Sequence, residues 1–239
     1  MATRNLIYQR SVPVPETKIN IVIPFVGEIV DNESEYYDLV GRLTAMPIDM
    51  MVQLDDAGID FTEIDEYQLF LMMFGAIKGQ DTSLVFGDLD LGKFGVGVDE
   101  DDGSIVLIDT ERDIKINRKV HGQIASILRK IHHLEKNRRK PANEDAKKYM
   151  IERARKKMNR RKGRTEDSHL ESLIVAMVNT EQFKYDFERT RELSIYQFNE
   201  SVRQIIKKVD YDNRMYGVYA GTISAKDLNP DDLNWLTHK

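Results

Sequence analysis

Cysteine is absent from the 239 residues, and tryptophan occurs only once. A chain without thiols forms no disulfide, no thiolate metal or iron–sulfur centre, and offers no cysteine nucleophile. Long hydrophobic runs are also missing: the longest, such as Leu69–Phe74, are far too short to span a bilayer. The first residues lack the apolar segment of a secretory signal. These absences favour the cytoplasm or an assembled particle, with no membrane partner.

Recognisable catalytic and cofactor motifs are missing as well. The stretch Gly92–Gly97 has no lysine before serine or threonine, so it does not match a phosphate-binding P-loop. The acidic run Asp99–Gly103 fails the calcium-loop pattern, because valine occupies the position of the first carboxylate. His132 and His133 are adjacent and would point about 100° apart on a helix, which makes a poor metal pair. The sequence predicts no catalytic residue, no cofactor and no metal site. It predicts that the histidines are exposed.

Two pairs of carboxylates leave an enzymatic alternative open. Asp88 with Asp90, or Asp55 with Asp56, could serve a metal-dependent reaction. Solvation at the surface explains both pairs equally well. Loss of an activity after their replacement by alanine would be needed to support this alternative.

The strongest feature that is present is a segregation of charge. Residues 129–164, the basic segment, contain sixteen basic and four acidic residues, a formal charge of +12. Residues 1–110 contain 21 acidic and six basic residues, a formal charge of −15. Regions of such opposite charge attract each other or an outside partner.

Three interpretations of the basic segment follow. It could be an arm that docks on an acidic protein surface, including the acidic region of another copy; a surface that contacts nucleic-acid phosphates; or a solvated pair of helices without a partner. The lack of stacking aromatic residues and of zinc-finger or RRM signatures speaks against base recognition. Trp235 is expected to anchor a C-terminal helix. The predicted partner-binding residues are Arg138, Arg139, Lys140, Lys156, Lys157, Arg160, Arg161, Lys162, Arg164 and Trp235.

Hydrophobic periodicity predicts an α+β fold that is mainly helical. A short edge strand is expected around Ile21, and helices after Pro47 and Thr62, the latter capped by Thr62 with Asp65. Residues 82–109 are expected to be β-rich, with a hairpin turn at Asp102-Gly103.

After residue 117 the pattern is helical. Asn143 is expected to cap a basic helix at about 144–161, Ser168 and Ser194 to open two further helices, and an aromatic-rich set of helices to form the C-terminal half. We predict three parts: an acidic α+β domain (1–113), a projecting basic helical hairpin (114–165) and a C-terminal helical region (166–239).

Several stretches resemble proteins from the tail-morphogenesis regions of tailed phages that infect Gram-positive bacteria. These stretches are IPFVGEI (23–29), MPIDMMVQLDDAGIDF (46–61), SLVFGDLDL (83–91), FKYDFERTRELSIYQFNESV (183–202) and YAGTISAKDLNPDDLNWL (219–236). The resemblance implies a virion-associated or tail-assembly protein, chaperone-like or baseplate-linked, and no enzyme. It implies partners among other phage structural proteins or copies of the chain, in the host cytoplasm during assembly or in the virion tail. Nucleic acid remains the alternative partner.

Overall fold

The computed structural model describes residues 5–99, 103–161, 168–229 and 234–236. Two strands begin the fold, β1 (Ser11–Pro13) and β2 (Asn20–Val22), and they pair antiparallel. Alternation of Ile19, Ile21 and Ile23 buries all three side chains on one face, as the sequence pattern predicts.

Five helices follow in the acidic part of the chain, and most of them are short. They are α1 (Val26–Val30), α2 (Glu33–Thr44), α3 (Met51–Asp56), α4 (Glu66–Lys78) and α5 (Ser83–Phe86), with a 3₁₀ turn at Pro47–Met50 before α3 and another at Leu91–Lys93 after α5. The predicted start of α4 at Thr62 is wrong. Asp65 caps the helix by accepting hydrogen bonds from the amides of Tyr67 and Gln68, and Gln68 bonds back to the Asp65 amide.

The second sheet contains three antiparallel strands, β3 (Gly95–Val98), β4 (Ile105–Asp109) and β5 (Ile114–Ile116). The predicted hairpin between β3 and β4 is confirmed, although its turn residue Asp102 lies outside the described residues. The hydroxyl of Tyr67 on α4 donates to the carbonyls of Ile105 and Ile116, each at 2.9 Å, and thereby fixes the helix to the sheet. The prediction of β structure over residues 83–91 is wrong, because these residues form α5 and the second 3₁₀ turn.

Helix α6 (Arg118–His132) is the central helix of the fold. Val120, Ile124, Leu128 and Ile131 form its buried stripe, and it packs on α2, α4 and β5. One hydrophobic cluster extends from Leu6 to Phe198 and includes this stripe, so all three predicted parts of the chain contribute to the same core.

Four further helices lie in the described part of the chain: α7 (Glu144–Arg161), α8 (His169–Val178), α9 (Phe187–Arg191) and α10 (Ile195–Tyr219), followed by a 3₁₀ turn at Ala225–Asp227. The short helix expected from Asn229 onward falls largely outside the described residues. The predicted caps Asn143, Ser168 and Ser194 are confirmed. The start of α10 is held against the N-terminal part, because the Ile195 amide donates to the Pro24 carbonyl at 2.9 Å. Among the residues that the structure describes, no helix is both long and apolar enough to cross a membrane.

The aromatic-rich C-terminal helices are only partly core. Phe183 and Phe198 are buried, whereas Phe187, Tyr216 and Tyr219 are exposed. Exposure increases toward the end of α10, because the second half of this 25-residue helix extends beyond the main hydrophobic cluster. The α+β, mainly helical class is confirmed.

Candidate partner-binding surface

The basic segment does not project freely from the body, because its inner side is neutralised by the chain's own acidic residues. Arg129 on α6 forms an ion pair with Glu66 at the start of α4, and Lys136 bonds to the same carboxylate at 2.5 Å. The Arg129 and Glu66 side chains are only 10% and 12% exposed. Burial alone would raise the pKa of Glu66, but the hydrogen bonds from Lys136 and Arg129 outweigh it and hold that pKa below its usual value. The start of the basic segment is thus tied to the acidic domain.

Helix α7 is held against α3 by both apolar and charged contacts. Ile151 packs into a small hydrophobic cluster with Ile48, Leu54, Phe61 and Leu69. This cluster is separate from the main core, so it provides α7 with its own docking site.

Ion pairs flank this apolar contact on both sides. Lys147 bonds to Asp60 at 2.7 Å, and this bond, with further hydrogen bonds from Thr62, lowers the pKa of Asp60 to about 2. Arg155 reaches Asp55 at 2.6 Å and Asp56 at 2.7 Å. Each exposed pair contributes little stability alone, so Ile151 supplies most of the docking free energy and the pairs fix the orientation.

The loop between α6 and α7, residues 133–143, presents cations that the body does not neutralise. Asn137 donates to Asp49 at 2.9 Å, and Asn143 caps α7 by accepting from the Ala146 amide at 2.8 Å. Between these two anchors, Arg138, Arg139 and Lys140 are exposed and form no ion pair with any described residue. The loop therefore has fixed ends and three unpaired cations at its centre.

The face of α7 that is turned away from α3, here called the outer face, is also strongly basic. Its exposed cations form no ion pair with described residues, and the acidic residues among them are Asp145 and Glu152. Tyr149 is 63% exposed on the same face. The cations of the outer face are Lys148, Arg153, Lys156, Lys157 and Arg160.

A cleft of about 590 Å³ lies between the loop and the acidic domain. One wall consists of the loop with Arg138, Arg139 and Lys140, and the opposite wall of residues 46–48 and 61–67. His121 and Gly122 of α6 also contribute to the lining. Three of the predicted partner-binding residues thus border one concave site, whereas Lys156, Lys157 and Arg160 lie on the outer face of α7.

Of the histidines that the structure describes, His121 and His132 are buried, which corrects the expectation of histidines that are exposed or reach the surface with their polar ends. His121 is 2% exposed and stacks on Phe70 with ring centroids 4.2 Å apart. His132 is 9% exposed and lies 2.8 Å from the Tyr36 hydroxyl. Burial lowers the pKa of each to about 4, so both are neutral near neutral pH and add no positive charge to the surface.

The remaining predicted site residues differ in how far they can be placed. Lys162 and Arg164 lie outside the described residues, and Arg161 is placed only as the last residue of α7. Trp235 is partly buried, and the Lys208 ammonium of α10 lies 5.5 Å from its ring centroid. Trp235 therefore contacts α10. It does not belong to the residues that line the cleft, which lie far from it in the sequence.

The carboxylate pairs considered for metal chemistry have other partners in this fold. Asp55 and Asp56 both face Arg155, and Asp90 accepts from the Gly92 amide at 2.7 Å. Within the described ranges, no three histidine or carboxylate side chains are grouped closely enough to hold a metal ion.

Sequence reasoning missed the residues that dock the basic segment on its own chain. Ile151 was visible as one of few apolar residues in a basic helix, and its spacing of four from Lys147 and Arg155 placed all three on one face. The acidic partners of Arg155, Lys147 and Arg129 are about 60 to 100 residues away along the chain. They are Asp55, Asp60 and Glu66, respectively. No local pattern connects such distant positions.

Comparison with known proteins links the C-terminal third of the chain to phages. Residues 160–239 match the family model of the YomV second domain. YomV is a protein of a Bacillus phage region, so this part of the chain is similar to a domain of a phage protein. The matched range begins in the last turn of α7 and contains α8, α9 and α10. No curated protein and no solved structure matches the chain.

Proposed function

We propose that this chain is a non-enzymatic phage protein, a structural or tail-assembly factor, that binds acidic surfaces of other phage proteins or of its own copies. The binding residues are the unpaired cations of the 133–143 loop and of the outer face of α7. The protein acts in the host cytoplasm during assembly or remains in the virion tail. It needs no cofactor and binds no membrane.

The observation that carries the proposal is the incomplete neutralisation of the basic segment. The acidic domain pairs with Arg129, Lys136, Lys147 and Arg155, all on the inner side. Eight further cations, on the loop and the outer face, lack such pairs within the described structure. Exposed charge of one sign repels itself, and an acidic partner relieves this repulsion while steering association.

Two other facts support the assignment to phages and to assembly. The C-terminal third is similar to a domain of a phage-region protein. The acidic domain, with a formal charge of −15 over residues 1–110, offers the kind of surface that the basic face of a second copy would bind.

Charge reversal at the unpaired cations tests the proposal. The variant R138E/R139E/K156E/K157E should lose binding to poly-L-glutamate, and should lose any salt-sensitive self-association seen by light scattering after size exclusion. Its circular dichroism should remain that of the wild type, because these side chains are exposed. A control with an equal change of charge reverses exposed basic residues elsewhere: R112E/K115E/K184E/K226E. Equal losses in both variants would refute a specific basic surface.

Nucleic acid is the second candidate partner, and the outer face of α7 favours it. Five cations along one helical face outnumber the two acids there, Asp145 and Glu152, and suit a row of phosphates; exposed Tyr149 could stack on a base. Purified protein that carries 260 nm absorbance until salt removes it, shifts DNA at low salt and ignores poly-L-glutamate would replace the first proposal with this one.

A further inference from the structure

The cleft beside the 133–143 loop has the size and shape of a site for a small group, not of a flat docking face. Its volume of about 590 Å³ falls within the range of roughly 300–1,000 Å³ that is typical of pockets for small ligands and peptide side chains. Its two walls belong to distant parts of the chain, the loop and residues 46–67. The docking of α7 on α3 therefore creates the cleft.

The chemistry of the walls is divided between apolar and cationic. On the side of the acidic domain the apolar lining is a small area formed by partly exposed Ile64 and by the edges of Pro47, Ile48 and Phe61, which are otherwise buried. The opposite edge of the cleft, here called the lip, carries the three unpaired cations of the loop, Arg138, Arg139 and Lys140. A ligand that fits both walls combines a bulky apolar group with negative charge beside it.

The carboxylates that line the cleft are already neutralised. Asp65 forms an ion pair with Arg118, Glu66 with Arg129 and Lys136, and Glu144 with Lys147. These pairs leave the cations of the lip as the unbalanced charge of the cleft. The site therefore attracts anions even though acidic residues lie in its wall.

The floor of the cleft carries a buried acceptor without a partner. His121 Nε2 has no hydrogen-bond partner, and the ring is 2% exposed. Because burial lowers the pKa of His121 to about 4, the ring is neutral and contributes no charge. Near neutral pH the attraction of an anionic ligand therefore depends on Arg138, Arg139 and Lys140 and not on His121.

The loop is held in position before any ligand arrives. Lys136 bonds to Glu66 at 2.5 Å, Asn137 to Asp49 at 2.9 Å, and Asn143 begins α7. A site whose backbone is already ordered loses less conformational entropy on binding. Ordered cations around a preformed pocket favour a specific ligand over diffuse attraction.

We propose that this cleft binds a short acidic peptide segment of a partner protein, with one bulky apolar side chain inserted against Ile48, Phe61 and Ile64. Flanking carboxylates of the segment pair with Arg138, Arg139 and Lys140. The proposal rests on the proposed function, since it names the partner feature that the basic loop recognises. The apolar part of the lining favours such a peptide over a nucleic-acid backbone, which carries charge without an apolar anchor.

Gly122 offers a way to fill the cleft without disturbing the fold. It is exposed on α6, lines the cleft, and a Cβ added there meets nothing within 4 Å. The variant Gly122→Leu places a side chain in the cleft and replaces glycine with a better helix former, so it should fold at least as stably. It occupies part of the cleft and leaves every cation in place.

The experiment measures fluorescence anisotropy of a fluorescein-labelled peptide, Glu-Asp-Glu-Leu-Asp-Glu-Asp, titrated with the full chain. We expect G122L and R138E/R139E each to weaken binding at least about tenfold, and K156E/K157E, an equal change of charge on the outer face, by much less. The same peptide with serine in place of leucine should also bind at least about tenfold more weakly. A labelled single-stranded oligonucleotide serves as the competing probe.

Several outcomes would overturn the cleft proposal. G122L without effect would show that binding occurs outside the cleft, and equal losses from K156E/K157E would indicate diffuse charge attraction; both results leave the proposed function standing. If the leucine peptide fails to bind while poly-L-glutamate still binds, the cleft proposal is rejected and the proposed function stands. Binding of the oligonucleotide that G122L does not weaken, with neither acidic probe bound, would reject both proposals.

Discussion

Acidification from pH 7 to pH 5 should destabilise the fold by about 3 kcal/mol through His121 and His132. Both rings are buried, and burial lowers each pKa from 6.5 to about 4. In the unfolded chain both return to about 6.5. Between pH 6.5 and pH 4 both histidines are therefore protonated in the unfolded state and neutral in the folded state.

The environment of His132 explains its resistance to protonation. The Tyr36 hydroxyl and His132 Nε2 share a hydrogen bond at 2.8 Å, and burial raises the pKa of Tyr36 well above 10, so the hydroxyl stays neutral. A proton added to the ring would bring a positive charge into a buried site where this neutral hydroxyl offers no negative charge to balance it. The positive charge would also lie beside His133, whose proximity lowers the His132 pKa further.

His121 is disfavoured as a cation chiefly by loss of water. Its ring stacks on Phe70 with an interplanar angle of 18°, and desolvation is the largest cause of its lowered pKa. The negative charge of Glu66 opposes the shift, but Arg129 and Lys136, which pair with that carboxylate, reinforce it. Burial is therefore the main reason that His121 stays neutral.

The sign and size follow from proton linkage. A histidine with a lowered folded pKa contributes stability above its unfolded pKa, and this contribution is lost as pH falls from 6.5 toward 4. At pH 5 an unfolded pKa of 6.5 and a folded pKa near 4 correspond to roughly 1.5–2 kcal/mol per ring relative to pH 7. The aspartates and glutamates add little above pH 5, because their usual pKa values are about 4.

Urea unfolding followed by circular dichroism, at half-unit steps from pH 7.5 to 5, measures this dependence. The variants H132Q and H121N each remove one titrating ring and should halve the loss of unfolding free energy, whatever their stability at pH 7. H169N, which alters an exposed histidine, is the control. A wild-type free energy of unfolding that changes by less than about 1 kcal/mol over this range would refute the reasoning.

Three further predictions concern docking, capping and helix propensity. Ile151→Ala should weaken the docking of α7 by about 2 kcal/mol, because Ile151 is its buried anchor; hydrogen exchange should then accelerate in α7 while α6 stays protected. Asp65→Ala should cost about 1 kcal/mol of unfolding free energy by removing the cap of α4, and exposed Glu63→Ala should cost almost none. Gly122→Ala should raise the urea midpoint, with a gain of up to about 1 kcal/mol, because nothing opposes the added methyl group; a lower midpoint would contradict the open space beside α6.

Local sequence chemistry was enough to predict several helices. Asn143 and the apolar Ile151 place α7, and Ser194 with Gln197 starts α10 by a reciprocal pair of hydrogen bonds. Such caps act over three residues, so the chain near the helix end determines them. The buried stripe of α6 is likewise visible from a period of about 3.6 residues.

Short apolar runs were the main failure in predicting the fold. The stretch SLVFGDLDL was interpreted as β, but Gly87 in the left-handed conformation (φ 61°) ends α5 after one turn. A run of four to six apolar residues fits a buried strand or a buried turn of helix equally well. Packing of α5 against β2 and α2 decides between them, and this packing involves residues far away in sequence.

The basic segment shows why a charge count predicts a surface only in part. The sequence indicates a charge of +12 on residues 129–164 and an opposite charge on the N-terminal region, and both are correct as sums. Folding divides the cations into two groups, because residues four apart on α7 share a face while the intervening ones point outward. Lys147 and Arg155 meet Asp60 and Asp55, and this pairing orients α7 so that Lys156 and its neighbours remain exposed. The intramolecular pairs therefore do more than reduce the net charge: they fix the outward direction of the unpaired cations on α7, while Arg138, Arg139 and Lys140 of the loop border the cleft.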